Sequence, residues 1–170
     1  TGTKDGYYIG SFMIDLGNIL GTGRKFQADW NKQDESSQDM RIYYEEPWLA
    51  GLPLDLSGQF LQVFQDSSYI KRGFTVGMKY SLSSRINAHL SFGGESVIAE
   101  DQDQSLFDLR NSKSTFYTIG LTYNMLDDRM NPSKGISYSS FVTQQRRKLE
   151  TTEDRDGYSV NDRKITAQLE

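Results

Sequence analysis

The clearest pattern in the chain is an alternation of apolar and polar residues between Phe116 and Val142. Its first half places an apolar or aromatic residue at every second position: Tyr117, Ile119, Leu121, Tyr123 and Met125. Period two is the period of a β-strand whose two faces differ. Turn-forming residues fill 127–135, and apolar residues return from Ile136. This stretch therefore predicts two long strands joined as a hairpin.

The same alternation recurs along the chain and predicts nine strands. Their expected bounds are 7–16, 24–32, 38–46, 54–65, 70–83, 85–97, 114–126, 135–145 and 158–170. In the fifth of them, Phe74, Val76, Met78, Tyr80 and Leu82 lie on one face, and Thr75, Gly77, Lys79 and Ser81 lie on the other. Each strand leads directly to the next, so the expected fold is an all-β antiparallel up-and-down meander forming one domain.

The connections between the predicted strands alternate in character. Those at 17–23, 47–53, 83–84 and 127–135 read as tight turns, whereas those at 31–38, 65–70, 97–113 and 144–157 are polar and mostly longer. Short turns on one side and long hydrophilic loops on the other are typical of outer-membrane β-barrels. A soluble lipocalin-like barrel would instead turn its apolar face inward, and periodicity alone leaves both facings open. Large polar residues on the second face, such as Lys25, Lys79 and His89, favour a wet lumen and a membrane barrel.

The composition excludes several kinds of site and partner but does not assign a function. The 170 residues include 10 Tyr, nine Phe and two Trp but no Cys, which excludes disulfides and thiolate metal sites. A net charge of −4 gives no reason to propose a nucleic-acid partner. No apolar run reaches the roughly 18 residues of a membrane-spanning helix. No signal peptide is visible, so we expect a mature protein or a piece of one.

Three features could indicate a binding or catalytic site, but a purely structural interpretation is favoured for each. The glycines at 17, 21 and 23 predict a turn with positive φ, because no Lys-Ser/Thr pair follows as in a phosphate loop. His89 is expected on a lumen or outer surface, since no partner for catalysis is placed beside it. The acidic runs 100–103 and 153–156 suggest calcium, but the spacing of Asp101 and Asp103 lacks the glycine and distal Glu of a calcium loop, so solvated loops are favoured. No catalytic residue, metal or cofactor is therefore expected.

Three turn motifs, in a fixed order along the chain, carry a family resemblance. Their residues are Asn18, Gly21 and Gly23 in the first, Glu46, Pro47 and Trp48 in the second, and Asp127, Asp128, Arg129, Pro132 and Gly135 in the third. In these turns and their flanking strands, the chain resembles the barrel domain of the BamA family of outer-membrane assembly factors, also called bacterial surface antigens. The resemblance covers nearly the whole chain.

The resemblance implies a fold, a location and a function. It implies part of a transmembrane barrel of about 16 strands in the bacterial outer membrane, running from near the second strand to near the tenth. The POTRA domains that precede this barrel in the family, and its final strands, are expected to be absent. The implied function is the insertion or translocation of outer-membrane proteins by strand pairing at the barrel seam, with no covalent chemistry. The implied partners are the lipid bilayer, outer-membrane protein substrates and assembly-complex subunits.

Two other functions stay open at the level of sequence. One is a passive channel or ligand-binding barrel, and the other is the barrel of a hydrolase-fused relative. The family's Arg-Gly-Phe/Tyr loop motif is copied by Arg72, Gly73 and Phe74, but these residues lie at the start of a strand and are interpreted as a coincidence.

The predicted facing and the predicted chain ends give further expectations. Met78→Arg should destabilise the barrel if that side chain faces lipid, whereas Lys79→Glu should matter little to folding. The isolated chain should associate with other copies through the segments 7–16 and 158–170, because unpaired strand edges invite pairing. Light scattering would detect such association.

Overall fold

The computed structural model describes residues 8–65, 69–99, 111–126, 133–149 and 160–169. They form nine β-strands and one turn of 3₁₀ helix between the third and fourth. The strands are β1 (Gly10–Ile19), β2 (Arg24–Lys32), β3 (Gln38–Glu46), β4 (Leu54–Gln65), β5 (Tyr69–Ser81), β6 (Ile86–Ala99), β7 (Ser112–Asn124), β8 (Ser137–Leu149) and β9 (Val160–Leu169). The 3₁₀ turn covers Leu49–Gly51. Across the described ranges, no helix has the length and hydropathy needed to cross a membrane.

All nine strands lie in one antiparallel sheet, in the order β1 to β9. The predicted all-β antiparallel meander is therefore confirmed. Within the described part of the chain, β1 pairs only with β2 and β9 pairs only with β8, so the sheet has two edges.

Three strands run beyond their expected ends. β1 continues to Ile19, β6 to Ala99 and β8 to Leu149. The last residues of β8 are as polar and charged as those of a typical loop. They nevertheless pair with β7 as far as Leu149, which stands opposite Ser112. The backbone pairing of β7 and β8 thus extends the sheet into a segment whose side chains are strongly polar.

The apolar side chains of neighbouring strands are in phase, so they form one continuous face. We call this face the apolar band; it is centred on Ile14, Ala28, Ile42, Phe60, Met78, Leu90, Ile119 and Val142, which lie on β1 to β8 in that order. Among the described residues, no apolar side chain is buried, and Met78, Val142 and Ile119 are 38%, 48% and 65% exposed. A face of this extent needs an apolar environment to cover it.

We call the opposite face of the sheet the inward face; it carries polar side chains together with two aromatic rings that lie over glycines. The ring of Phe116 covers Gly93 on β6, and the ring of Phe141 covers Gly120 on β7. Each ring belongs to the residue opposite its glycine in the register. The rings occupy the space that a side chain at each glycine would need, so the glycines allow a close approach of the aromatic residues to the sheet.

The connection between β2 and β3 is held by one carboxylate. Asp34 accepts hydrogen bonds through Oδ1 from the backbone N–H groups of Ser36 and Ser37, at 2.9 and 2.7 Å. The bond from the Ser36 N–H lowers the pKa of the Asp34 carboxyl, because it favours the charged form. This Asx-type turn closes the loop with no glycine at its centre.

Candidate functional site

The first motif turn joins β1 to β2 and is fixed by one asparagine side chain. Asn18 Oδ1 accepts a hydrogen bond from the Gly23 N–H at 2.8 Å, and its carbonyl accepts one from the Gly21 N–H at 3.0 Å. Gly21 and Gly23 have positive φ, as expected. The expectation for Gly17 is wrong: it lies within β1, and Asn18 and Leu20 adopt the positive φ values, near 53° and 54°.

The second motif turn follows β3 and contacts the first. A Cβ placed on Gly23 would lie 3.2 Å from Pro47 Cγ, so the two turns pack against each other. Glu46 holds them together, because the Nε of Arg24 donates to both of its carboxylate oxygens at 2.9 and 2.8 Å. Trp48 has a φ of 52°, and its N–H donates to Asp55 Oδ1 at 3.2 Å. We call this arrangement the turn cluster, comprising Asn18, Gly23, Arg24, Glu46, Pro47 and Trp48.

The third motif lies mostly outside the described residues, namely Asp127, Asp128, Arg129 and Pro132. Gly135 is described and has a φ of 122°. A Cβ on Gly135 would meet Leu126 Cα at 2.7 Å, so the backbone passes too close to admit a side chain. Beside it, the Met125 N–H donates to the Ile136 carbonyl at 2.9 Å and closes the β7–β8 hairpin.

Removing the Asn18 side chain should loosen the turn cluster. We expect Asn18→Ala to lower the free energy of unfolding by about 1 kcal/mol, since the Gly23 N–H loses its acceptor. The measurement is denaturant unfolding of the full-length protein in lipid vesicles, followed by tryptophan fluorescence. Asn18→Asp keeps an acceptor oxygen and tolerates positive φ, so it should retain most of the stability. Equal stability of Asn18→Ala and the unaltered protein would contradict this role.

The inward face carries hydrogen-bonded polar pairs that bridge successive strands. Lys25 and Glu45 join β2 to β3 at 3.1 Å, Lys79 and Asp55 join β5 to β4 at 2.6 Å, and Lys71 and Glu95 join β5 to β6 at 2.9 Å. Hydroxyl pairs continue the pattern, with Thr118 and Thr143 2.9 Å apart. We call this set the inward polar ladder. It partly lines a depression of about 290 Å³.

Because Lys79 forms an ion pair with Asp55, we expect reversal of its charge to affect stability. Lys79→Glu places a second carboxylate beside Asp55, so we expect a loss of roughly 1 kcal/mol, kept small by the partial exposure of the pair. The sequence-based expectation was that this change would matter little. The combined Asp55→Lys and Lys79→Glu variant restores opposite charges. Because Asp55→Lys also removes the acceptor of the Trp48 N–H, the double variant is compared with Asp55→Lys alone and should be the more stable of the two in the same unfolding measurement. If the single variant unfolds like the unaltered protein, the pair does not contribute to stability.

His89 lies on the inward face, within the ladder. Its Nε2 lies 3.1 Å from Thr122 Oγ1, and its ring centroid lies 5.5 Å from that of Phe141. Ser139 Oγ donates to the same threonine hydroxyl at 3.3 Å. The geometry therefore places His89 as a member of a hydroxyl network between β6, β7 and β8.

Of the remaining candidate features of the sequence, some lie within the described residues and others do not. Arg72, Gly73 and Phe74 lie inside β5, in a regular ladder with β4 and β6. The acidic runs 100–103 and 153–156 lie outside the described residues. In the part of the chain that the structure describes, no three His, Asp or Glu side chains converge as a metal site would require.

Three contacts at the candidate site were not anticipated from the sequence. They are the contact between Gly23 and Pro47, the ion pair of Arg24 with Glu46, and the hydrogen bond from Trp48 to Asp55. Each depends on which residues stand opposite one another in adjacent strands. The sequence offers one signal for these contacts: Arg24 and Glu46 carry opposite charges and lie at adjacent ends of neighbouring strands, which is compatible with an ion pair.

Comparison with known proteins identifies the family of this chain. The family model described as the Omp85 superfamily domain matches residues 18–152, which is most of the chain. The match spans all three motif turns and β2 to β8. No curated protein matches the chain. The antiparallel meander, its two-faced strands and this match together show that the chain belongs to the Omp85 superfamily, whose members reside in outer membranes.

Proposed function

We propose that this chain forms one wall of an outer-membrane barrel that inserts or translocates outer-membrane proteins. The observation that carries the proposal is a single antiparallel sheet with one apolar and one polar face, in a chain that belongs to the Omp85 superfamily. The apolar band contacts lipid, and the inward polar ladder faces a water-filled lumen. Short turns lie on the periplasmic side, and the connections on the opposite side face outward.

The mechanism we propose is strand pairing. A strand edge offers backbone N–H and C=O groups that an incoming strand can complete, and no bond of the substrate is broken. By the family resemblance, β1 lies one strand away from the barrel seam, so the turn cluster holds the wall next to the strand that receives the client. The chain acts as a scaffold and carries no catalytic residue in this proposal. Its partners are the lipid bilayer, unfolded outer-membrane proteins and subunits of an assembly complex.

A passive channel is the second candidate, and the inward polar ladder favours it. Ion pairs such as Lys79 with Asp55 and Lys25 with Glu45 are compatible with a hydrated passage for small solutes. A channel of this kind would conduct without any effect on other barrel proteins.

One reconstitution distinguishes the two candidates. The full-length protein is placed in lipid vesicles, and a urea-unfolded outer-membrane barrel is added as the client. Client insertion is followed by the difference in gel mobility between heated and unheated samples, and conductance is recorded in planar bilayers of the same lipid. Faster client insertion than in protein-free vesicles supports the assembly function. Conductance with unaccelerated insertion overturns it in favour of the channel.

A further inference from the structure

The depression on the inward face has a floor of three small residues. Ser57 on β4, Gly77 on β5 and Ser91 on β6 stand opposite one another in the register and line it. At about 4.8 Å between strands, this floor is about 10 Å wide. A Cβ on Gly77 would lie 2.6 Å from Ser57 Oγ, so any side chain at this position would raise the floor. The volume of about 290 Å³ is close to the lower limit of about 300 Å³ for small-molecule sites.

Aromatic rings border the floor on two sides. Tyr43 on β3 and Phe141 on β8 both line the depression. The ring of Phe141 lies over Gly120, and its centroid is 5.5 Å from that of His89 on β6. Tyr43 is fixed on the other side, because its hydroxyl donates to Glu45 Oε2 at 2.5 Å. The two rings leave room between them for one small ring-shaped ligand and offer it apolar surface.

The charged groups around the depression are compensated in pairs. Glu45 pairs with Lys25, with 3.1 Å between nitrogen and oxygen. Asp55 pairs with Lys79 at 2.6 Å. The side chains of the two carboxylates are only 18% and 19% exposed. A charged ligand would therefore lose hydration at this site without meeting an uncompensated opposite charge, which favours an uncharged ligand.

The hydrogen-bonding capacity of these groups exceeds what the pairs use. Glu45 and Asp55 each accept two hydrogen bonds in the structure. An ionised carboxylate has about four acceptor positions and an ammonium group has three donors, so Lys79 keeps donors and both carboxylates keep acceptors. Thr118 adds a hydroxyl to the lining. Donors and acceptors that surround one depression match a ligand whose own groups do both, and hydroxyl groups have that property.

We propose that the depression binds one uncharged sugar ring. Its hydroxyl groups would bond to Glu45, Asp55 and Lys79, and an apolar face of the ring would pack against Phe141. The inference rests on the contact of the inward face with water, which is part of the proposed function, since the sugar reaches the site through the lumen. It adds to the wall a ligand site that strand pairing does not use.

The test removes one aromatic border or raises the floor. The full-length protein in lipid nanodiscs is titrated with methyl α-glucopyranoside, and binding is followed by saturation-transfer NMR. Phe141→Leu removes the ring and should weaken binding about fivefold. Gly77→Ala adds a Cβ to the floor and should weaken binding about tenfold.

Two matched controls separate the site from its surroundings. Phe116 also covers a glycine on the inward face but does not line the depression, so Phe116→Leu should leave binding unchanged. Gly58 follows Ser57 on β4 and lies on the opposite face, so Gly58→Ala should also leave binding unchanged. Equal weakening by Phe141→Leu and Phe116→Leu would overturn the proposed site.

The charge and length of the ligand provide the second test. Glucuronate and glucosamine carry a carboxylate or an ammonium group on the same ring, and each should bind at least about fivefold more weakly. Tighter binding of either would overturn the assignment to an uncharged ligand, and tighter binding of maltotriose would overturn the assignment to one ring.

Absence of saturable binding to the unaltered protein would overturn the proposal as a whole. Heat-dependent gel mobility checks the folding of each variant, and Phe141→Leu decides if Gly77→Ala does not fold. Client insertion is measured without sugar, so failure here leaves the proposed function to its own test.

Discussion

Met78→Arg should lower the free energy of unfolding of the full-length protein in lipid vesicles by about 2–4 kcal/mol. Met78 lies in the centre of the apolar band, opposite Leu56 on β4 and Leu90 on β6, and is 38% exposed on the sheet surface. If that surface contacts lipid, the guanidinium must leave water for hydrocarbon. Denaturant unfolding followed by tryptophan fluorescence gives the difference.

The matched control for Met78→Arg is Ser91→Arg. Ser91 lies on β6 next to Leu90, points to the inward face and lines the depression there. If the inward face contacts water, as we propose, an arginine there stays hydrated, so we expect a change within about 0.5 kcal/mol. A large loss at Ser91 with none at Met78 would mean that the apolar face points inward, as in a soluble barrel.

Gly93→Ala should destabilise the protein by about 1–3 kcal/mol. The added Cβ would meet the ring of Phe116 and would lie 2.7 Å from the backbone carbonyl oxygen of Phe74. The ring can rotate aside, but the carbonyl belongs to the β5–β6 ladder and cannot move without breaking it. The same unfolding measurement in vesicles reports the loss.

Gly58→Ala tests whether the effect of Gly93→Ala comes from crowding. Gly58 lies inside β4, and a Cβ built there has no atom within 4 Å. Alanine should therefore be neutral or slightly stabilising at this position, because it restricts the unfolded chain. If the two variants lose equal stability, the contact of Phe116 with Gly93 is not the cause.

The strands and their order could be predicted because period-two alternation is a local signal. Each strand of the meander pairs with its neighbour in sequence, so no long-range pairing had to be inferred. The ends of β6 and β8 could not be predicted in the same way. The residues from Gln144 to Leu149 are mostly charged or polar and resemble a loop, but pairing with β7 keeps them in the sheet.

Each turn motif can be predicted from its own residues, but the contact between the first two turns cannot. Asn18, Gly23 and Pro47 could each be assigned to a turn from residue type, since turns depend on local φ preferences and side-chain acceptors. That Gly23 packs on Pro47 depends on the β2–β3 register, which no single residue specifies.

The unbroken residue-for-residue pairing from β2 to β8 imposes a parity rule on changes in chain length. The register in these strands shows no bulge, and the apolar positions stay in phase throughout. Inserting one residue inside a strand would exchange the side chains of the apolar band with those of the inward face beyond that point, whereas inserting two would only shift them along the strand. Length variation in this wall should therefore occur in even steps within strands, and odd steps should be confined to the connections.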